Sequence, residues 1–458
     1  MKRIILLIVC LAIIGVVLIF VRGNNRSSGV GMETTIKVWT NNAHSKPEIE
    51  AAVEKYNKGE GARLGINIDY TVLGSDYYTV LDLALSAGEE PHIYKITGKL
   101  PQLVREQAIL PLTEMPAWFQ DSVLKDYAPY HISGQSIFDG VPYTINWAST
   151  SYGALAYNVP LLKRAGFTEP PETWADFERM CIAIAKVSPG RTFGTYMPLQ
   201  YANYGQYYVG GALTPSFGKF MFDFSTGKYC FSDFAEYFEM YQRIRASGAM
   251  FPGIESLDDD TARAQFAEGY IGFILVMPSF NVGVLYDQFP TKMEWKIAPI
   301  PVKDANTRYN VMGTTATNLV VSKKAKTDKV IEEAARVYAY LISDEVLGTL
   351  YTNGKELPMN PRIVQNAKPS SRQQWNDIAA LAAAGTVQRP NFPDALFVVE
   401  GDDVNTAFGK ILTGGNARQI LADMDRRFNA AMDRAVSRGT IKLADFIKPE
   451  IEQQFKKK

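Results

Sequence analysis

Histidine and cysteine are both scarce in this sequence, three of each among 458 residues. The histidines are His44, His92 and His131, which excludes a histidine-rich metal centre and leaves any Ser-His-Asp arrangement three candidate bases. Cys10 lies inside an apolar N-terminal stretch, so Cys181 and Cys230 are the pair left to bridge. Neither sits in a C-x-x-C or metal-ligand spacing, and both occupy apolar helix- or strand-like surroundings, where a buried free thiol is the expectation. Net charge is missing as well: 48 basic side chains face 48 acidic ones. A neutral chain with no dense Lys/Arg block does not suit a nucleic acid, whose phosphates select a basic face. The lysines at 456–458 are too few to change that and form a solubilising end.

Catalytic signatures are absent too. There is no G-x-S-x-G elbow, P-loop or H-E-x-x-H, and no G-x-G-x-x-G follows the first strand. The acidic runs Asp258-Asp259-Asp260 and Asp402-Asp403 each precede a helix whose positive end they complement, so capping explains them. A glycosidase needs two carboxylates facing each other across a cleft, and nothing here pairs two of those available. These absences favour binding over turnover, and no cofactor is implied.

A long hydrophobic run occurs once. Met1-Lys2-Arg3 is followed by eighteen uncharged residues, 4–21. As a helix this run spans roughly 27 Å, about one hydrocarbon core. A cleaved signal has a shorter apolar region and small residues at its cut site, whereas this run ends Val21-Arg22-Gly23-Asn24-Asn25. A lipid-modified Cys10 would follow Val9, where a small residue is usual. The expectation is an uncleaved anchor within residues 1–32, with a cleaved signal and a lipidated Cys10 as alternatives. Lys2 and Arg3 favour a cytoplasmic N-terminus, and residues 23–29 make a flexible tether. The body would then stand on the outer face of the cytoplasmic membrane.

What remains describes a large α/β body. Its length suits two units rather than one core, and 47% apolar with 21% charged residues is an ordinary globular balance. Thr35-Ile36-Lys37-Val38-Trp39 alternates as a strand does. Ser45 and Glu48 form an S-x-x-E capping box before a helix with Ile49, Ala52, Val53 and Tyr56 on one face. Residues 65–72 alternate again, Asp76 can cap a second helix that stops at Gly88, and a strand follows over 92–96. This β-α-β-α-β order predicts a doubly wound sheet with ligand groups at strand carboxyl ends. A second unit opens after Gly140, with a strand over 152–157 and a helix started by Thr173. From Thr327 the chain is mainly helical, and the longest helix spans about 417–437.

Aromatic residues are 12% of the chain, and many fall in loops rather than in periodic stripes. Trp39-Thr40-Asn41-Asn42-Ala43-His44, Tyr143-Thr144-Ile145-Asn146-Trp147 and the stretch 199–208 with Tyr201, Tyr204, Tyr207 and Tyr208 mix rings with amides. Sugars present apolar C–H faces and a rim of hydroxyls, so flat rings beside Asn, Gln, Tyr and His suit them.

Ordered segments then resemble the extracellular solute-binding proteins of ABC importers, the maltose-binding-protein-like family 1. Gly140-Val141-Pro142 followed by Leu155-Ala156-Tyr157-Asn158 is similar to its "G-x-P … L-x-Y-N". Pro171-Glu172-Thr173-Trp174-Ala175-Asp176-Phe177 resembles its "P-x-T-W-x-E-f". Phe266-Ala267-Glu268-Gly269 is similar to its "F-x-x-G", and Trp295 to Pro301 to its "W-x-x-x-P-x-P". The resemblance implies a two-lobed periplasmic-binding-protein-like α/β fold of type II. Lobe one would take 33–145 plus 312–355 and lobe two 146–311 plus 356–458, crossing near 143–148, 310–315 and 354–360. It implies a monomer that captures a carbohydrate by hinged closure and delivers it to ABC permease subunits. A sensor of the same fold, or a polysaccharide hydrolase, is the alternative. The implied site takes Trp39, Asn41, Asn42 and His44 from the first loop, and Lys95 and Thr97 from the third strand. Asn146, Trp147, Tyr201, Tyr204, Phe280 and Phe397 complete it. Phe280 stands where the family often has a stacking Trp.

Overall fold

Alternating burial in the first strand sets the plan, with Ile36, Val38 and Thr40 inward and the residues between them half-buried or exposed. The computed structural model describes residues 33–455 apart from 75, 97–98, 201–203, 206–208, 276, 308 and 316–317. The expected anchor and tether, and the site residues Thr97 and Tyr201, lie outside the described residues. In chain order the strands of the larger sheets are β1 (Thr34–Thr40), β2 (Ile66–Val72), β3 (Ile93–Lys95), β4 (Ala148–Tyr152), β5 (Ala154–Asn158) and β6 (Phe273–Ile274). They continue with β7 (Trp295–Pro299), β8 (Val311–Thr315), β9 (Leu319–Val321), β10 (Leu357–Pro358) and β11 (Thr386–Gln388).

The first sheet runs β9-β3-β1-β2, with β1 parallel to β2 and β3 and β9 antiparallel to β3. Parallel neighbours need crossovers, which the helices Lys46–Tyr56 and Tyr77–Ala87 supply. Both faces are covered. Ile93, Leu319 and Val321 enter a core with Ile49, Val53 and Tyr338, while Tyr94 and Val320 point the other way onto Tyr77 and Leu81. Two helix starts differ from expectation. Ser45 and Asp76 stand at the N-cap positions, but neither side chain bonds the helix. Ser45 closes a 3-10 turn at φ −110°, ψ 8°, and Asp76 has φ −85°, ψ 6°, instead of the extended backbone that lets a cap side chain reach back. Thr173, Asp258 and Asp403, all extended, do cap their helices.

The single strand expected over 152–157 is two strands. Gly153 breaks it at φ +114°, a conformation open to glycine and strained for other residues. β4 thereby joins one sheet and β5 another. β5 forms the middle of the second sheet, antiparallel to β6 and β7. Single parallel bridges, Phe193 with Ile271 and Thr195 with Met250, extend it. The resulting order, 250 beside 195 beside β6 beside β5, repeats that of β2-β1-β3-β9, with the antiparallel strand in the same place. Its core holds Phe177, Cys181, Ile184, Tyr241, Phe266 and Phe273, and helix Ala417–Ser437 closes it with Leu421, Met424, Phe428 and Met432. Cys181 and Cys230 are both free.

The third sheet, β10-β4-β8-β11, joins the two cores. β4 starts at Ala148, in the core of the first sheet, and ends at Tyr152, in that of the second. β8 pairs antiparallel with β4, with Met312 opposite Tyr152 and Thr315 opposite Ser149. Gly313 permits this spacing, because a Cβ there would lie 2.6 Å from Thr386 Cγ2 and 2.8 Å from Ser149 Oγ. Gly313→Val should therefore force β8 away from its neighbours and destabilise the chain by about 1–3 kcal/mol, measured as a drop in the urea midpoint with the slope unchanged.

Candidate functional site

The carboxyl ends of β1, β2 and β3 lie side by side, the position where open α/β sheets present ligand groups. β1 ends at Thr40, whose Oγ1 is 3.0 Å from the Tyr70 hydroxyl at the end of β2. The chain then turns through Asn41 and Asn42 into the 3-10 turn Ala43–Ser45. Lys95 ends β3, and its ammonium donates to Asn42 Oδ1. The Tyr77 hydroxyl donates to the carbonyls of Trp39 and Lys95, tying β1 to β3 at 3.2 and 2.5 Å. Burial pushes the Lys95 ammonium down to about 8, against an opposing pull from Glu356. Burial also pushes the Tyr70 phenol up to about 12. Glu356 comes from the segment leading into β10; it is 4% exposed, and its Oε1 lies 2.8 Å from His44 Nε2.

Facing this edge is helix Ser279–Asp287, which follows β6. Phe280 in its first turn has its ring centroid 6.3 Å from that of His44. Ser279 Oγ accepts from the Ser151 amide of β4 at 3.2 Å. Asn281 Oδ1 accepts from Arg263 at 2.7 Å, and Arg263 also donates to Asp259 and Asp260, each at 2.7 Å. Gly283 lets the helix backbone meet the turn before β10, since a Cβ at 283 would stand 2.9 Å from the Gly354 carbonyl oxygen. At the helix end Asp287 accepts from Lys355 at 2.7 Å and from Arg372 at 2.6 Å, and Lys355 also faces Glu48 of the first core at 3.5 Å. Burial works to raise the Asp287 carboxyl, but the bonds from Lys355 and Arg372 outweigh it and hold it below the usual range.

The sequence-derived site residues divide into two groups. His44, Asn42, Lys95 and Phe280 come together, with Asn41 beside them; among the described residues, the buried Asn41 Oδ1 has no partner. Trp39 is half-buried against Tyr77 and Leu81. Asn146 and Trp147 are not at the edge but in the core of the first sheet, 1% and 4% exposed, and Asn146 donates to Tyr130 O and Ser136 Oγ. Tyr204 is buried in the other core with its hydroxyl donating to Asn405 O, and Phe397 packs on that core's surface. Alternating aromatic and amide residues signal a loop site and a strand end equally well, which is why Asn146, Trp147 and Tyr204 were expected at the site; Phe397 was expected from the resemblance.

Sequence reasoning missed Glu356, Tyr70, Arg263, Asn281 and the Lys355–Asp287 pair. A charged Lys355-Glu356 dipeptide inside an expected crossing segment was the one legible signal. Among the described residues no three His, Cys, Asp or Glu side chains converge as a metal site requires. Two solvent-open grooves lie elsewhere, flanking helix Asp344–Thr352; Glu345 and Thr349 line both, and Lys55 lines one.

Comparison with known proteins agrees with this layout. The family model described as bacterial extracellular solute-binding protein matches residues 51–389. A binding protein of Brucella abortus (strain 2308) is 23% identical over 308 residues, 65% of this chain and 70% of its own. The GacH receptor of Streptomyces glaucescens GLA.O, solved unliganded and with acarbose, superposes with a TM-score of 0.68 at 16% identity, covering 88% of this chain and 99% of that one. An ABC transporter solute-binding protein of Thermotoga lettingae TMO, bound with α-D-tagatose, gives 0.67 at 17% identity over 87% and 99%. The fold is the type II periplasmic-binding α/β fold.

The Arg263 anchor has a pH signature. Burial raises the Asp259 carboxyl to about 6, with Arg263 opposing. The folded chain then binds this proton more readily than the unfolded one, so this group's contribution to stability is greatest below about pH 4 and is lost as pH rises to about 6. Urea midpoints across pH 4–7 should show this decline, and Asp259→Asn should flatten it.

Proposed function

The chain belongs to the bacterial extracellular solute-binding proteins, and from that premise we propose that it captures a carbohydrate outside the cytoplasm and hands it to an ABC permease. The observation that carries this reading is the meeting of the two sheets' elements: the loop after β1, with His44, stands against Phe280 of the helix after β6. A ring for a sugar's apolar face and a rim of Asn41, Asn42, Lys95, His44 and Glu356 for its hydroxyls are what such a ligand needs. The acarbose and tagatose bound by the Streptomyces and Thermotoga proteins are of the same ligand class.

In this reading the lobes are 33–145 plus 312–355 and 146–311 plus 356–458, and the third sheet is the hinge about which they close. The Lys355 and Asp287 pair spans that hinge, so closure would be accompanied by its formation or tightening. Residues 4–21 tether the protein to the membrane, where the closed form meets the permease. No catalytic pair is invoked; the family is one of binding proteins.

The test is a titration of the full chain, solubilised in detergent, with a broad panel of mono- and oligosaccharides, followed by tryptophan emission and thermal midpoint. At least one sugar should bind without being converted, and a panel with no response would overturn the carbohydrate assignment. Phe280→Ala should weaken that binding tenfold or more, as expected from losing an aromatic burial of about 2 kcal/mol, with a smaller loss of thermal stability. Equal losses would make Phe280 structural.

A further inference from the structure

The carboxyl edge of the first sheet holds a cation that the protein leaves without a carboxylate. Lys95 is partly buried at the end of β3 and donates through Nζ to Asn42 Oδ1. Among the described residues no carboxylate oxygen lies within 4.0 Å of it. Lys355, also sequestered, has two, Asp287 at 2.7 Å and Glu48 at 3.5 Å. Burying an ammonium against a neutral amide is costly unless an anion arrives. Three N–H donors sit on the ammonium and one serves Asn42, so two remain.

The surrounding charges do not supply that anion. Lys355 and Arg372 balance Asp287 and Glu48 within their own network. Glu356 acts on Lys95 only through space, with no ion pair between them; its Oε1 lies 2.8 Å from His44 Nε2. Burial leaves the ammonium at about 8, so it is still mainly charged at neutral pH. Beside it, Asn41 Oδ1 is a buried acceptor with no partner among the described residues, suited to a ligand hydroxyl. Phe280 presents a ring beside His44.

We propose that Lys95 receives an anionic group of the ligand, and that the solute is an acidic saccharide whose carboxylate takes the two remaining N–H donors of this ammonium. The proposal rests on the carbohydrate reading above and names the member of that class. A carboxylate offers two oxygens to a partly buried cation, an arrangement worth more than a hydroxyl in the same place. Neutral sugars would offer the ammonium hydroxyls but no opposite charge.

Calorimetric titration of the full chain in detergent with matched pairs, glucose against glucuronate, galactose against galacturonate, and their oligosaccharides, decides it. The acidic member of at least one pair should bind ten or more times more tightly than its neutral partner. That advantage should shrink with added salt and as pH rises past about 8. Lys95→Met should remove the acidic member's advantage over its neutral partner, and Lys95→Arg should restore part of it. Neutral sugars binding as well as or better than their acids would overturn the proposal and leave the carbohydrate reading standing. Lys95→Met weakening both members equally would make Lys95 a brace for Asn42 and overturn it too. A chain that binds neither member of any pair sinks both readings. Should Lys95→Met fail to fold, the matched-pair comparison on the unsubstituted chain still decides.

Discussion

Gly283 brings the backbone of helix Ser279–Asp287 against Gly354, so close that a Cβ at 283 would stand 2.9 Å from the Gly354 carbonyl oxygen. From that contact the rest of the site follows. The helix start carries Phe280 to His44, its end carries Asp287 to Lys355, and the turn it touches leads to Glu356, which meets His44 in the loop after β1. Three elements from distant parts of the chain are thereby held in register by a close approach that a side chain would prevent. Ser279 and Asn281 fix the helix's rotation, one against β4 and the other against Arg263.

The charges around this contact are arranged by how they are neutralised. Asp287, Lys355, Arg372 and Glu48 form a closed group in which each charge has an opposite. The Arg263 charge is similarly matched by two aspartates, with an amide beside them. Ion pairs of this kind add little to net stability, since desolvation offsets their attraction, but they hold geometry firmly because breaking one leaves a buried charge. Lys95 differs in having an amide and, among the described residues, no carboxylate within 4.0 Å; in the proposal above this separates a cation available to a ligand from cations used by the fold.

Legibility in the sequence followed the range of the interaction. β1, β2 and β3, the caps Thr173, Asp258 and Asp403, and the helix Ala417–Ser437 were all readable, because alternation, capping and helical periodicity are set within a few residues. Ser45 and Asp76 were misjudged as bonded caps for a related reason: the motif is local, but the backbone entering it was already turning. At the proposed site, His44, Asn42 and Lys95 were expected because they lie at or just after strand ends, and the fold places them near one another. Trp147 and Asn146 were included on the same aromatic-and-amide pattern and lie in the core. Nothing within ten residues distinguishes a ring that faces a cleft from one that faces its own sheet.

What the amino-acid order by itself determined is the set of strands and helices, their α/β succession and the position of the loops at strand ends. Those features depend on hydrophobic period and backbone preference, which neighbours in sequence decide. Tertiary structure alone decided that Gly153 divides one apparent strand between two sheets, that β4, β8 and β10 pair across the two cores, and that Glu356 lies against His44. Each of these joins residues far apart in the chain. Their energies come from close packing and from paired charges in a space that does not exist until both sheets have formed.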